Sequence, residues 1–143
     1  MYFKDELFYS YEDEYASRLR FYGIRAMIAD NNSDENADIK KMLESYGVNA
    51  YSATSSEEAG ELYHKNEYDI IFVDTGFFKK GSSGIAKEIG ENKKNHIIIG
   101  LADEVKEGEK ELEVVLTKPI KKNLVGCILS REFGQQEVFD FTT

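Results

Sequence analysis

Asp30, Asp74 and Lys118 each close a short apolar run, and each is separated from the next by 44 residues. If the fold brings them together, their chemistry is defined. Two carboxylates in one crevice repel each other and stay ionised together when a cation joins them. Carboxylates, a backbone carbonyl and water are the oxygen donors that Mg²⁺ prefers. A lysine opposite them can neutralise a further anion, such as a phosphoryl group. A carboxylate can also act as a nucleophile and form an acyl phosphate. The residues alone thus describe metal-assisted phosphoryl transfer to an aspartate. Acids at strand ends also serve as caps or solvated turns, and residue type does not separate the two readings.

The elements that must position them alternate regularly. Ile24 to Ala29 is an apolar run ending at Asp30, a strand. Asn32-Ser33-Asp34-Glu35 supplies an N-cap and acids for a first helical turn. Ile39, Met42, Leu43 and Tyr46 follow at helical spacing, and Gly47 stops that helix. Val48 to Ala53 reads as a second strand. Ser55 or Ser56 caps a helix whose apolar face is Ala59, Leu62 and Tyr63. Tyr68 to Val73 is the third strand, ending at Asp74. A Gly- and Ser-rich loop leads to a helix around Ile85, Ala86 and Ile89. His96 to Leu101 and Val114 to Thr117 are the fourth and fifth strands. A last helix carries Ile120, Leu124, Cys127 and Ile128. Strands alternating with helices, and strands that are continuously apolar, predict a parallel sheet covered on both faces. In such sheets the site lies beyond the carboxyl ends of the strands.

Composition narrows the class. The chain has 143 residues, enough for one domain with a real core, and a formal charge of −9. That balance argues against a binder of nucleic-acid backbones. No apolar run is long enough to span a membrane, and the start Met-Tyr-Phe-Lys-Asp-Glu is unlike a signal peptide. The lone Cys127 allows no internal disulfide and no cysteine-built metal site. The expectation is a small acidic cytoplasmic domain.

These residues carry a resemblance. Tyr68 to Asp74 resembles the third strand of response-regulator receiver domains in two-component signalling, with the phosphoacceptor at Asp74. Thr117-Lys118-Pro119 resembles the Thr-Lys-Pro that follows the fifth strand. Its lysine contacts the phosphoryl group and its next peptide bond is usually cis; Pro119 is the single proline of the chain. Ile28 to Asn32 resembles the paired acids after the first strand. Counting back 17 residues from Gly47 sets Asp30 at the first acid and Asn31 at the second, and a slip of one residue would set Ala29 and Asp30 there. The resemblance spans residues 23–133. It implies the flavodoxin-like doubly wound sheet of five parallel strands in the order 2-1-3-4-5. It also implies Mg²⁺ held by Asp30, Asp74, the Gly76 backbone carbonyl and, weakly, Asn31.

Four residues depart from the family pattern. Asn31 leaves one acid where the family usually has two, so Mg²⁺ should bind more weakly. Ala102 stands where a Ser or Thr hydroxyl would meet the phosphoryl group. Val115 replaces the switch Tyr or Phe, and Phe78 replaces a loop proline. Twelve residues, Ala102 to Glu113, join the fourth and fifth strands. Subtracting loops of about 2 residues each leaves roughly two helical turns, so the fourth helix should be short, mobile or reduced to a loop.

Two functions follow. One is a receiver that accepts a phosphoryl group on Asp74 from a histidine kinase or histidine phosphotransfer domain, despite degenerate switch residues. The other is a pseudo-receiver, a protein-interaction module independent of phosphorylation. Neither acts on a diffusible substrate; at most the domain catalyses its own phosphorylation and dephosphorylation. Residues 1–22 hold eight of the 18 aromatics, with Phe3, Leu7, Tyr11, Tyr15 and Leu19 at helical spacing. They read as a helical N-terminal extension and a possible homodimer contact. Phe21 to Arg25 resembles the linker before receivers in hybrid histidine kinases. Residues 134–143 read as a tail without room for a DNA-binding module. Cys127 is expected in the core, and His64 and His96 at the surface or as caps.

Overall fold

The structure, a computed structural model, describes residues 19–76, 84–92, 95–104, 114–134 and 138–139. Its elements are β1 (Leu19–Arg20), β2 (Arg25–Ala29), α1 (Ser33–Ser45), β3 (Asn49–Ala53), α2 (Ser56–Lys65), β4 (Ile70–Asp74), α3 (Gly84–Glu91), β5 (Ile97–Ala102), β6 (Val114–Thr117), α4 (Lys122–Phe133) and β7 (Val138–Phe139). Five strands form one parallel sheet in the order β3-β2-β4-β5-β6. Counted without β1, this is the expected order 2-1-3-4-5. The order reverses at β2, so the crevice between the carboxyl ends of β2 and β4 is the topological switch point.

Both faces of the sheet are buried, which explains the unbroken apolar runs. On one face Ile28, Phe72, Ile99 and Leu116 pack with Leu43 of α1 and Leu124 and Ile128 of α4. On the other, Met27, Ala29, Ile71 and Val73 pack with Ala59 of α2 and Ile89 of α3. Burying each of the larger side chains stabilises the fold by about 1.5–3 kcal/mol.

The helix signals act as their chemistry dictates. Asn32 caps α1, its side-chain oxygen accepting from the Asp34 and Glu35 amides at 3.0 Å each. Gly47, at φ +82°, lets the chain turn out of α1. Ser55 caps α2 and accepts from the Glu58 amide. Ile120 is buried but precedes α4, so it joins the core ahead of the helix rather than from its face.

The ends of the domain differ from expectation. Leu19 and Arg20 are not helical; they form β1, which pairs antiparallel with β7, Leu19 opposite Phe139 and Arg20 opposite Val138. Leu19 and Phe21 are fully buried in the main core. The Phe21 amide donates to the Tyr46 carbonyl at 2.7 Å, and the two rings meet edge-on at 6.3 Å. The core therefore begins at least four residues before Gly23, because an apolar side chain gains more from burial in that core than from continuing a helix. The segment 134–143 is likewise not wholly a tail, since Val138–Phe139 is a strand. The rest of the aromatic stripe, residues 1–18, lies outside the described residues. So do the loop bearing Phe78 and residues 105–113, on which the shortened fourth helix was expected.

Candidate functional site

Three carboxylates and one ammonium meet at the carboxyl edge of the sheet. Asp74 ends β4, Asp30 follows β2, Glu35 lies in the first turn of α1 and Lys118 follows β6. Lys118 Nζ stands 2.7 Å from Asp74 Oδ2, 2.7 Å from Glu35 Oε2 and 3.0 Å from Asp30 Oδ2. The fold thus gathers the three residues singled out by spacing, and adds a fourth. The Lys118–Pro119 bond is cis, as the motif implies. The Lys118 amide donates to the Ala102 carbonyl at 2.8 Å, which ties the lysine to the end of β5.

Asp74 is held from two sides. Oδ2 accepts from Lys118, and Oδ1 accepts from the Gly76 amide at 2.7 Å. A Cβ on residue 76 would come within 2.8 Å of Asp74 Oδ1. Only glycine lets the backbone approach the carboxylate this closely. The Asp74 side chain remains 21% exposed, so a donor can reach it from solvent.

Asp30 is 1% exposed. Its Oδ1 accepts from the Asn32 amide at 2.9 Å. Its Oδ2, like Glu35 Oε2, is buried and ion-paired with the ammonium. The contact to Asp74 is the hydrogen-bonded one. Burial acts to lower the pKa of Lys118, but its contacts with Asp74, Glu35 and Asp30 together outweigh it and hold the group well above its ordinary value. The lysine is therefore charged at any physiological pH. One ammonium among three carboxylates leaves a formal surplus of two negative charges.

Asn36 went unnoticed in the sequence. It is buried on α1, and its amide donates to the carbonyls of Asp30 and Ala53 at 2.8 Å each. It thereby fixes the chain where β2 and β3 deliver their ends. A polar residue on the apolar face of a helix was the available signal. Glu35 read as a generic first-turn acid; its approach to Lys118 could not be seen from spacing.

The other expected positions are placed as follows. Asn31 is exposed beside Asp30. Ala102 and Val115 are both buried and pack in one small apolar cluster with Ile98. Cys127 is buried, and burial pushes its thiol up to about 11. His64 is exposed and pairs with Glu88 at 2.9 Å. His96 is not at the surface: it is buried at the amino end of β5, with Nε2 2.9 Å from the Tyr63 hydroxyl. Packing against Tyr63 gives the ring an apolar wall, and burial lowers its pKa. Both histidines lie away from the carboxylate edge.

The donor set is all oxygen, the kind a hard divalent cation prefers. Among the described residues, no three His, Cys, Asp or Glu side chains form a ready metal cage. The ammonium holds the point on which the three carboxylates converge.

No family model and no curated protein matches the sequence. Solved structures do. A response regulator from Thermotoga maritima superposes with a TM-score of 0.66 at 19% identity, over 78% of this chain and 98% of its own. The receiver domain of Saccharomyces cerevisiae Ssk1, solved with the histidine phosphotransfer protein Ypd1, gives 0.62 at 19%, over 85% and 96%. The response regulator PhyR from Brucella abortus gives 0.64 at 27% identity, over 81% of this chain and 50% of its own. The chain has the fold of a response-regulator receiver domain.

Proposed function

We propose that the chain is a signalling module that accepts a phosphoryl group on Asp74 from a phosphohistidine. The observation that carries this reading is the clamp on Asp74: a partly exposed carboxylate with an ammonium on one oxygen and a backbone amide on the other. In the transfer an Asp74 oxygen attacks phosphorus, the P–N bond breaks, and the histidine nitrogen keeps the electron pair. An acyl phosphate forms on Asp74. Lys118 is positioned to neutralise the phosphoryl oxygens, and the Gly76 amide orients the attacking carboxylate.

Asp30, Asp74, the Gly76 carbonyl and Asn31 would hold Mg²⁺, which when bound supplies charge neutralisation for the incoming phosphoryl group. With Asn31 in place of an acid, that binding is weak. The partner is a histidine kinase or a histidine phosphotransfer domain, in keeping with the Ssk1 receiver solved with Ypd1. The proposed setting is the cytoplasm; no helix among the described residues is long and apolar enough to cross a membrane. The domain acts on no diffusible substrate and at most catalyses its own phosphorylation and dephosphorylation.

A specific observation favours a second reading, a pseudo-receiver that works through contacts alone. Ala102 and Val115 fill the positions of the hydroxyl and the aromatic switch, and both are buried against each other. Val115 is 1% exposed and has no ring to reorient. Incubation with a small phosphodonor and Mg²⁺, followed by intact mass, separates the readings. A gain of one phosphate that disappears in Asp74→Ala supports the receiver. No gain in the folded wild type supports the pseudo-receiver.

A further inference from the structure

Asn36 lies away from the reacting groups, yet the hold on Asp30 runs through it. It is 2% exposed, on the face of α1 that also buries Ile39 and Leu43. A buried amide is costly unless its hydrogens find acceptors. Both do: Nδ2 donates to the Asp30 carbonyl and to the Ala53 carbonyl, each at 2.8 Å. These bonds fix the orientation of the amide, because turning it over would set its oxygen against two carbonyls. They fall where the sheet ends. Ala29 opposite Ala53 is the last paired rung of β2 and β3. The Asp30 amide still donates to the Ala53 carbonyl at 3.1 Å, and beyond it the chain leaves β3 for the Ser55 cap of α2. At the Asp30 carbonyl a side chain donates where a continuing strand would have offered an amide.

A short series of contacts carries this hold to Asp74. The main chain of Asp30 is tied on both sides, its amide to Ala53 and its carbonyl to Asn36. Its Oδ1 accepts from the Asn32 amide at 2.9 Å. Asn36 closes the first turn of α1 on that same residue, its own amide donating to the Asn32 carbonyl at 3.0 Å. One residue therefore ties down both Asp30 and the turn whose amide grips it. Oδ2 is left facing Lys118 Nζ at 3.0 Å, and Lys118 donates to Asp74 Oδ2 at 2.7 Å. A shift of the Asp30 main chain would move Oδ2 off the ammonium. The lysine would then lose one of the contacts that aim it at Asp74.

We propose that Asn36 is a positioning residue for phosphoryl transfer to Asp74: by pinning the Asp30 main chain to the end of β3, it holds the carboxylate that aims Lys118. This rests on the receiver reading of the Asp74 edge. Asn36 touches neither the phosphoryl group nor the attacking oxygen, and it acts through Asp30 and Lys118. Misplacing a supporting group by about 1 Å can cost on the order of 10²-fold in rate.

Asn36→Leu in the full chain is the test, since it keeps bulk on the buried face and removes both donors. Labelling by acetyl phosphate with Mg²⁺ is followed by intact mass. In that reaction an Asp74 oxygen attacks phosphorus, the bond from phosphorus to the acetyl oxygen breaks, and acetate leaves with the electron pair. Gly126→Ala, which acts between α1 and α4, controls for lost stability alone. The Lys118 ammonium signal in nitrogen-edited NMR spectra, identified by its absence in Lys118→Arg, reports the aim of the lysine directly. Folded Asn36→Leu should label more slowly by roughly tenfold or more, with the Lys118 signal shifted or broadened. Gly126→Ala should melt lower yet keep both the labelling rate and the signal. A wild-type rate in folded Asn36→Leu overturns the proposal. So does slow labelling with an unchanged Lys118 signal, or an equal slowing in Gly126→Ala. If Asn36→Leu does not fold, Asn36→Ser decides: its one hydroxyl on a shorter side chain cannot serve both carbonyls, and a wild-type rate there overturns the proposal. No phosphate uptake by the wild type overturns the receiver reading and this role with it. Uptake by the wild type that Asn36→Leu leaves unaltered removes Asn36 alone.

Discussion

At the scale of single residues, Asp74 is shaped by what glycine permits next to it. A methyl group on residue 76 would fall 2.8 Å from Asp74 Oδ1, but the atom it meets is the end of a movable side chain. Gly76→Ala should therefore turn the carboxylate away at little cost to folding, a change in unfolding free energy under about 1 kcal/mol. Phosphate incorporation by a small donor should fall several-fold; wild-type labelling of this variant would remove the amide clamp from the mechanism. Asn36 makes the contrasting case. Replacing it with Ala strips donors from the Asp30 and Ala53 carbonyls. Urea denaturation should show a loss of about 1–3 kcal/mol, and a smaller loss would mean that water takes over both carbonyls.

The residue scale is also where reading from sequence was most uneven. Asp30, Asp74 and Lys118 could be singled out because each ends an apolar run, and strand ends are the one place a parallel sheet can deliver side chains to a shared edge. Glu35 and Asn36 could not. They project from a helix, so their reach depends on how α1 is set against the strand ends and Lys118, and hydrophobic spacing carries no information on that.

At the scale of elements, α1 and α4 approach through a tyrosine lodged against a glycine. Tyr46 is fully buried, donates to the Lys122 carbonyl at 2.9 Å, and lies so close to α4 that a Cβ on Gly126 would stand 2.6 Å from its hydroxyl. On helix propensity alone, Gly126→Ala would stabilise α4 by about 1 kcal/mol. Overpacking should win instead, with a net loss of about 1–3 kcal/mol in chemical denaturation. A net gain would show that the helices slide apart freely. Between β5 and α2, His96 sits buried with a pKa below its ordinary value because burial disfavours the charged ring. The unfolded chain then binds a proton that the folded chain does not as pH falls below about 6.5. Stability should decline over that range. The denaturation midpoint of His96→Gln between pH 5 and 7 should fall less steeply; parallel curves would place the proton elsewhere. His96, expected at the surface or as a cap, is interior, with Tyr63 packed against it.

For the whole molecule, the layered architecture was legible almost completely. Continuous apolar runs, capped helices and a glycine stop are local signals, and they fix a parallel sheet with helices on both faces. The edges of the domain were not legible. Leu19 fits a helical stripe as well as it fits a strand, because one apolar residue at a boundary satisfies either period. Its place in the core is decided by packing in the main cluster, a tertiary fact. Burial across the whole fold also governs Cys127, whose thiol is pushed up to about 11. At pH 8 it should resist alkylation in the native state and react promptly in denaturant. Fast native labelling would mean that α4 opens without global unfolding.

The ladder of β1 and β7 has a mechanical consequence. Leu19 stands opposite Phe139, so the outer rung joins the two points from which the flanking chain departs. Tension on both flanks would open that rung and then the Arg20–Val138 rung in succession, like a zip. The parallel sheet would bear load only afterwards. A two-rung zip yields to small forces, so the clasp would act as a weak link that gives way while the carboxylate edge stays assembled.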